Sequence, residues 1–402
     1  MSFEIARSGI NAVNASLETI SNNIANSGTY GFKSSRTNFS AMYADSHANG
    51  VEASSTSQSV DIGGGLFNTG RGMDAMIQGR GFFPVKDDAG QTVFTRVGIF
   101  SVDKNGFVID SLGRKAQGYA AVLDANGKPV DGAGLGAFGD LKVATGQIPA
   151  QASEKLNFNG NLSADWTTPT AAPFNKDDPL TYNSSVTSVI YDSLGTKHSV
   201  TQYFVKTGTG TADAYYSFDG AAPAGVGATL NFNAQGQLTA VPTVTLNATP
   251  TNGAAPIALA IDYTGTTQFA GDTTTLTNAT DGYAAGTLTG TSISEDGSLV
   301  ATYSNGEKQT VGTLAVATFA NESGLTPISE TSWSSSQTSG VALYSRPGAG
   351  TAGKLASGSL EQSNVDITGE LVSLMSAQRN YQANTKVIST ENDVMQALMQ
   401  AV

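Results

Sequence analysis

The residues that most often carry chemistry are few in this chain, and their spacing is poor for it. Histidine occurs twice, at His47 and His198, and both read as surface residues rather than as a base or a metal ligand. Asp87-Asp88 and Asp177-Asp178 are paired carboxylates, the residue type of acid–base hydrolysis. Neighbours on a chain point apart, however, and cannot converge on one substrate atom. Asp103-Lys104-Asn105-Gly106 and Asp124-Ala125-Asn126-Gly127 open as calcium loops do, but neither continues with the carboxylate spacing that an oxygen cage needs, so both read as turns. No Gly-Lys-Ser/Thr phosphate loop is present. The absence of cysteine excludes disulfides, thiolate metal sites and a cysteine nucleophile. The expectation is no enzyme, no cofactor and no bound metal.

The strongest patterns lie at the two ends. Phe3, Ala6, Ile10, Val13, Leu17, Ile20 and Ile24 step by threes and fours, the seam of a helix packed on another helix. Ser2 is placed to cap this helix, Glu4 falls in its first turn, and Asn26 to Gly28 stop it. At the other end Ile367, Leu371, Leu374, Tyr381, Ile388, Met395, Met399 and Val402 form a second seam. Asp366 is its expected N-cap, and Glu370 suits the positive end of the helix dipole. At about 1.5 Å per residue, this helix could reach roughly 50 Å. Gln378, Thr385 and Asn392 fall where that seam would otherwise be apolar, a placement that weakens a coil but can fix its register. Two readings follow. The helices close one globule, or they complete the burial of their seams against neighbouring copies.

The middle of the chain has a different character. Of 402 residues, 46 are glycine and only 13% are charged, a composition that favours turn-rich β structure. The net charge of -12 argues against nucleic acid or an anionic membrane as partner. No apolar run approaches the ~18 residues that span a bilayer, and the N-terminus lacks the pattern of a cleaved leader. From Ser34 to Gly70 the chain reads as an extended linker with short strands, and Gly63-Gly64-Gly65 as a hinge. From Arg71, alternating apolar residues around Asn105-Gly106 predict hairpins. From Ala150 to Gly286 the composition shifts toward Thr, Ala, Gly and Asn. Val186–Gly195 and His198–Val205 read there as two strands across a turn, within a β-barrel or sandwich. Strands resume at Gly290, and Gly348 to Gly358 reads as a flexible return linker.

Certain residues carry a resemblance. Asn22-Asn23-Ile24-Ala25-Asn26-Ser27-Gly28-Thr29-Tyr30-Gly31-Phe32-Lys33 resembles the N-terminal motif of the bacterial flagellar axial proteins, the rod, hook and hook-associated family. Ser363-Asn364-Val365-Asp366, Glu370-Leu371-Val372 and Ala377-Gln378-Arg379-Asn380-Tyr381-Gln382-Ala383-Asn384 resemble the C-terminal one. The resemblance implies a mainly β chain with terminal α-helices, nested as follows. Residues 1–30 and 364–402 would be a coiled-coil assembly domain lining a tube. Residues 31–70 would be the linker, 71–149 and 287–363 a core β domain, and 150–286 an inserted outer β domain. That outer domain is the feature distinguishing hook-type members from the shorter distal rod type. The implied role is a subunit that self-assembles into a curved, flexible tube, a universal joint carrying motor torque from rod to filament. Implied partners are further copies of the chain, the distal rod protein, the hook cap protein, the hook–filament junction protein and a type III export apparatus. The implied place is the flagellum outside the cell. Another axial protein remains an alternative, and so, more distantly, does a secreted β-domain adhesin.

Overall fold

The computed structural model describes residues 2–44, 47–123, 130 and 134–401. Val402 and the Asp124-Ala125-Asn126-Gly127 stretch lie outside them. Two long helices stand at either end, α1 (Ser2–Ala25) and α2 (Ile367–Ala401), and the described residues between them are β structure and turns with two short 3-10 helices. Ser2 is the first described residue of α1. Asn26 stops α1 by folding its amide back, Nδ2 donating to the Asn22 carbonyl at 3.0 Å. Asp366 caps α2 as its position suggests, one carboxylate oxygen accepting the Thr368 N–H at 3.1 Å.

The chain divides into two compact units. The first comprises Met1–Thr145, Gly290–Thr302 and Lys308–Val402. The stretch expected as a linker with short strands is instead a long antiparallel hairpin, β1 (Ser35–Ala44) with β2 (His47–Gln58). It lies on α1, with the Thr19 and Thr37 hydroxyls 2.7 Å apart and Ser8 Oγ accepting the Val51 N–H at 3.2 Å. The main sheet of this unit is antiparallel. Its order runs Ser298–Tyr303, Lys308–Leu314, Lys115–Ala120, Phe83–Lys86, Thr92–Thr95, Ser332–Ser334, Thr326–Ile328. Three early strands therefore lie side by side with two late ones on either flank, as a nested chain allows. Phe82, Phe94, Phe319, Leu325 and Trp333 fill its core, with Phe94 and Phe319 edge to face at 4.8 Å. The expected return linker is not loose either. Gly348 and Gly353 close a turn, and Lys354–Ser357 pairs with Ala75–Gln78.

The second unit comprises Gly146–Thr289 and Tyr303–Glu307. Two four-stranded sheets form it. One runs Val244–Ala248, Ile257–Asp262, Lys155–Asn161, Thr274–Thr280; the other runs Ser184–Tyr191, Lys197–Gly208, Thr211–Phe218, Ala228–Asn231. Burial alternates along the Lys155–Asn161 and Ile257–Asp262 strands, as a sheet with one face in the core demands. Leu156, Phe158, Val200, Phe204, Leu230 and Leu259 meet there. Tyr216, Tyr263 and Gln202 carry a hydrogen-bonded chain through that core.

Candidate assembly site

The two terminal helices pack on each other, antiparallel. Asn23 of α1 donates to the Glu370 carboxylate of α2 at 2.8 Å, and Gly9 lies against Asn384, where a Cβ would come within 2.9 Å of the amide. Ala377, one heptad from each of those α2 residues, is buried between them. The face of α2 turned to α1 therefore follows 370, 377 and 384, together with Leu374 and Ile388, which are half-buried. Relative to the expected seam, the helix is rotated. Ile367, Leu371, Tyr381 and Met395 are exposed, and so are Gln378, Thr385 and Asn392. On α1, Ile20 is buried, Ile10, Val13, Leu17 and Ile24 are half-buried, and Phe3 is exposed. Small residues explain the choice of face. Gly9 and Ala12 let the backbones approach, and at Gly9 the Asn384 amide takes the space that a Cβ would fill.

A bare apolar face remains. Ile367, Leu371 and Met375 make an i, i+4 stripe, flanked by Val372, and each is about half exposed. α2 spans 35 residues against 24 for α1, so its last turns, with Met395 and Met399, run beyond α1. A monomeric surface seldom leaves such a stripe uncovered.

Below the helices the N-terminal motif forms a knot. Asn23 is almost wholly buried, its Nδ2 donating to Ser35 O at 2.8 Å and its Oδ1 accepting the Ser35 N–H at 2.9 Å. Asn22 and Asn26 close the end of α1 on each other, and Thr29 donates to Asn26. Gly31 has φ +69°, and a Cβ there would stand 3.1 Å from the Arg96 backbone, so glycine is required on both counts. Phe32 is half-buried, and its carbonyl accepts the Asn364 N–H at 3.4 Å. Lys33 has no exposed side-chain area. Its ammonium donates to Glu361 Oε1 and to Ile62 O, both at 2.6 Å. Arg96 reaches the other Glu361 oxygen at 3.3 Å, its guanidinium 5.0 Å from the Phe82 ring centroid. Burial pulls the Lys33 pKa below the usual lysine range, and Glu361 offsets that only in part. Gln378, Arg379 and Tyr381 of the C-terminal motif lie on the exposed side of α2.

Gly63, Gly64 and Gly65, expected as a hinge, belong to this knot. The Gly64 N–H donates to Glu361 at 2.9 Å, and Gly65 O accepts the Gln362 N–H at 2.8 Å. A Cβ on Gly64 would sit 1.7 Å from the Gln362 carbonyl. The triplet is therefore a close backbone approach, with two of its three glycines held. Glu361 and Arg96 were not legible as site residues. The one signal was a charge at or just past the end of each short strand, at Phe94-Thr95-Arg96 and Leu360-Glu361.

The other chemistry-bearing residues are distributed as turn formers. The Asp103 carboxylate accepts the Asn105 and Phe107 N–H groups, Asp87 accepts that of Gln91, and Asp178 caps a short 3-10 helix. Of the two histidines, His198 is not the surface residue expected: it is largely enclosed between Asp192 and Asp219. No helix among the described residues is long and apolar enough to cross a membrane, and no group of three or more His, Cys, Asp or Glu side chains among them is arranged to hold a metal ion.

Two helices brought together from opposite ends of one chain, bare on the outside and rooted in a β scaffold, define a structural subunit of a filamentous assembly. Four family profiles match in the same order along the sequence. Residues 3–33 match the flagella basal body rod protein profile, and 76–161 the D1 domain of flagellar hook proteins FlgE/F/G. Residues 137–283 match the flagellar basal body protein FlaE D2 domain, and 356–401 the C-terminal profile of the rod FlgEFG proteins. The flagellar hook protein FlgE of Salmonella typhimurium is 35% identical over 99% of both chains. That of Treponema pallidum is 30% identical over 98% of this chain and 97% of its own. A crystal structure of the Helicobacter pylori flagellar hook protein FlgE2 shares the fold at a TM-score of 0.52, with 13% identity, 72% of this chain and 98% of that one covered. The chain belongs to the flagellar hook protein family. It is a hook subunit, structural and not enzymatic, and its family implies a place in the flagellum.

Proposed function

We propose that this chain polymerises through α1 and α2 into the tubular joint between flagellar rod and filament, outside the cell. The observation that carries the reading is the apolar stripe of Ile367, Leu371 and Met375 left bare beside a helix face that is already packed. Covering half-exposed side chains of this size is worth about 1 kcal/mol each, and the gain is repeated at every subunit contact of a helical array. The distal rod protein, the cap protein, the hook–filament junction protein and the type III export apparatus are the partners that such a position requires. Torque would enter at the helices and leave through the Lys33–Glu361–Arg96 knot, where both chain crossings meet. Electron microscopy of the purified chain at rising concentration tests this. Curved tubes are expected, straight rigid rods would favour a rod-type role, and a monomer at every concentration would refute the reading.

A further inference from the structure

In the second unit the ring of His198 is gripped at both nitrogens. Nδ1 lies 2.6 Å from an Asp219 oxygen and Nε2 lies 3.2 Å from an Asp192 oxygen. A neutral imidazole carries one N–H and could serve only one of these carboxylates, so the two contacts together require the imidazolium. The ring stacks on Phe218, centroids 5.1 Å apart. Asp192 has no exposed side-chain area, and its Oδ1 accepts the Leu194 and Thr196 N–H groups at 2.9 and 2.8 Å. Asn252 Nδ2 donates to its other oxygen, and the Ala255 N–H donates to Ser193 Oγ at 3.0 Å. Asp219 sits at φ 45°, a left-handed conformation uncommon outside glycine, and accepts the Ser199 N–H at 2.8 Å. The ring thus ties the turn at 192–196 to the turn after the Thr211–Phe218 strand, and the first of these turns holds the loop at 252–255 through Asp192 and Ser193. On its remaining side the Ser184–Tyr191 strand places Ile190 opposite it. The charged groups acting on the ring are Asp192 and Asp219.

We propose that Asp192, His198 and Asp219 form a proton-operated clasp, closed while the ring is charged and opened at the Asp219 side when the proton leaves. The side of opening follows from exposure. The Asp192 carboxylate is sealed and cannot gain water, so the remaining N–H stays with it; that of Asp219 is 43% exposed and can turn to solvent. Burial alone would lower the imidazole pKa, but the hydrogen bonds and charges of Asp219 and Asp192 outweigh it and raise the pKa above the ordinary histidine value. Burial would likewise raise both carboxylates, and their hydrogen bonds hold both below their usual range instead. The stabilisation is therefore complete below the ordinary histidine pKa of about 6.5 and is lost as pH rises through the raised one. This inference does not depend on the assembly reading.

The test is a nitrogen-15 titration of the histidine rings in the full-length monomer, from about pH 6 to about pH 9.5, with His47→Gln leaving His198 as the single ring. A doubly protonated ring at neutrality is expected, with a midpoint above the ordinary value. Amide exchange at Ser199 and Asp219, corrected for base catalysis, should rise through that midpoint as the clasp opens. The Leu230 amide should not follow. His198→Gln should abolish the step, and Asp219→Asn should lower the midpoint. A neutral ring at pH 7, or a step that survives His198→Gln, overturns the clasp. Should His198→Gln not fold, an unchanged midpoint in Asp219→Asn overturns it equally.

Discussion

Glu361 is a carboxylate out of reach of water, and three donors converge on it: the Lys33 ammonium, the Arg96 guanidinium and the Gly64 N–H. Burying such a cluster adds little net stability, because desolvation cancels much of the Coulomb gain. Removing its one anion is a different matter, since two cations then remain enclosed. Glu361→Gln should cost about 3–5 kcal/mol in denaturant unfolding, read from Trp333 fluorescence in a Trp166→Phe background. Lys33→Met should cost less, because Glu361 keeps Arg96 and the Gly64 N–H. Equal losses in the two variants would contradict the assignment of Glu361 as the shared partner.

At the scale of elements, α2 presents two faces with two tasks. The inner one is fixed by Asn23, Gly9 and Ala12 of α1. The outer one is left about half exposed among the described residues. Leu371→Asp should therefore change monomer stability by less than about 0.5 kcal/mol, as surface substitutions do. The same variant should form no tubes, because a carboxylate at that stripe would be buried unpaired at every subunit contact. Tubes of normal length under the microscope would show that this stripe is not the contact. The helix itself was legible because a heptad is a local property. Which face it turns inward was not, because that depends on small residues on α1. Strand turns such as Asp103–Gly106 were legible for the same local reason. The β1–β2 hairpin was not: its Ser- and Asn-rich strands lack apolar alternation, and their support comes from α1. Nor could sequence pair Arg96 with Glu361, separated by 265 positions.

The whole chain carries 33 acidic and 21 basic residues, so copies brought together repel one another. The attraction assigned to the helices is apolar and short-ranged, and salt does not weaken it. Raising ionic strength shortens the Debye length from about 10 Å at 0.1 M toward about 3 Å at 1 M. Repulsion between subunits then falls while the helix contact stays, and added salt should speed tube growth and lower the concentration at which it begins. Light scattering of the purified chain across a sodium chloride series measures both. A contact built on ion pairs would respond the other way, with growth slowing as salt rises. That response would move the assembly surface from the apolar stripe of α2 to the charged side chains elsewhere on the molecule.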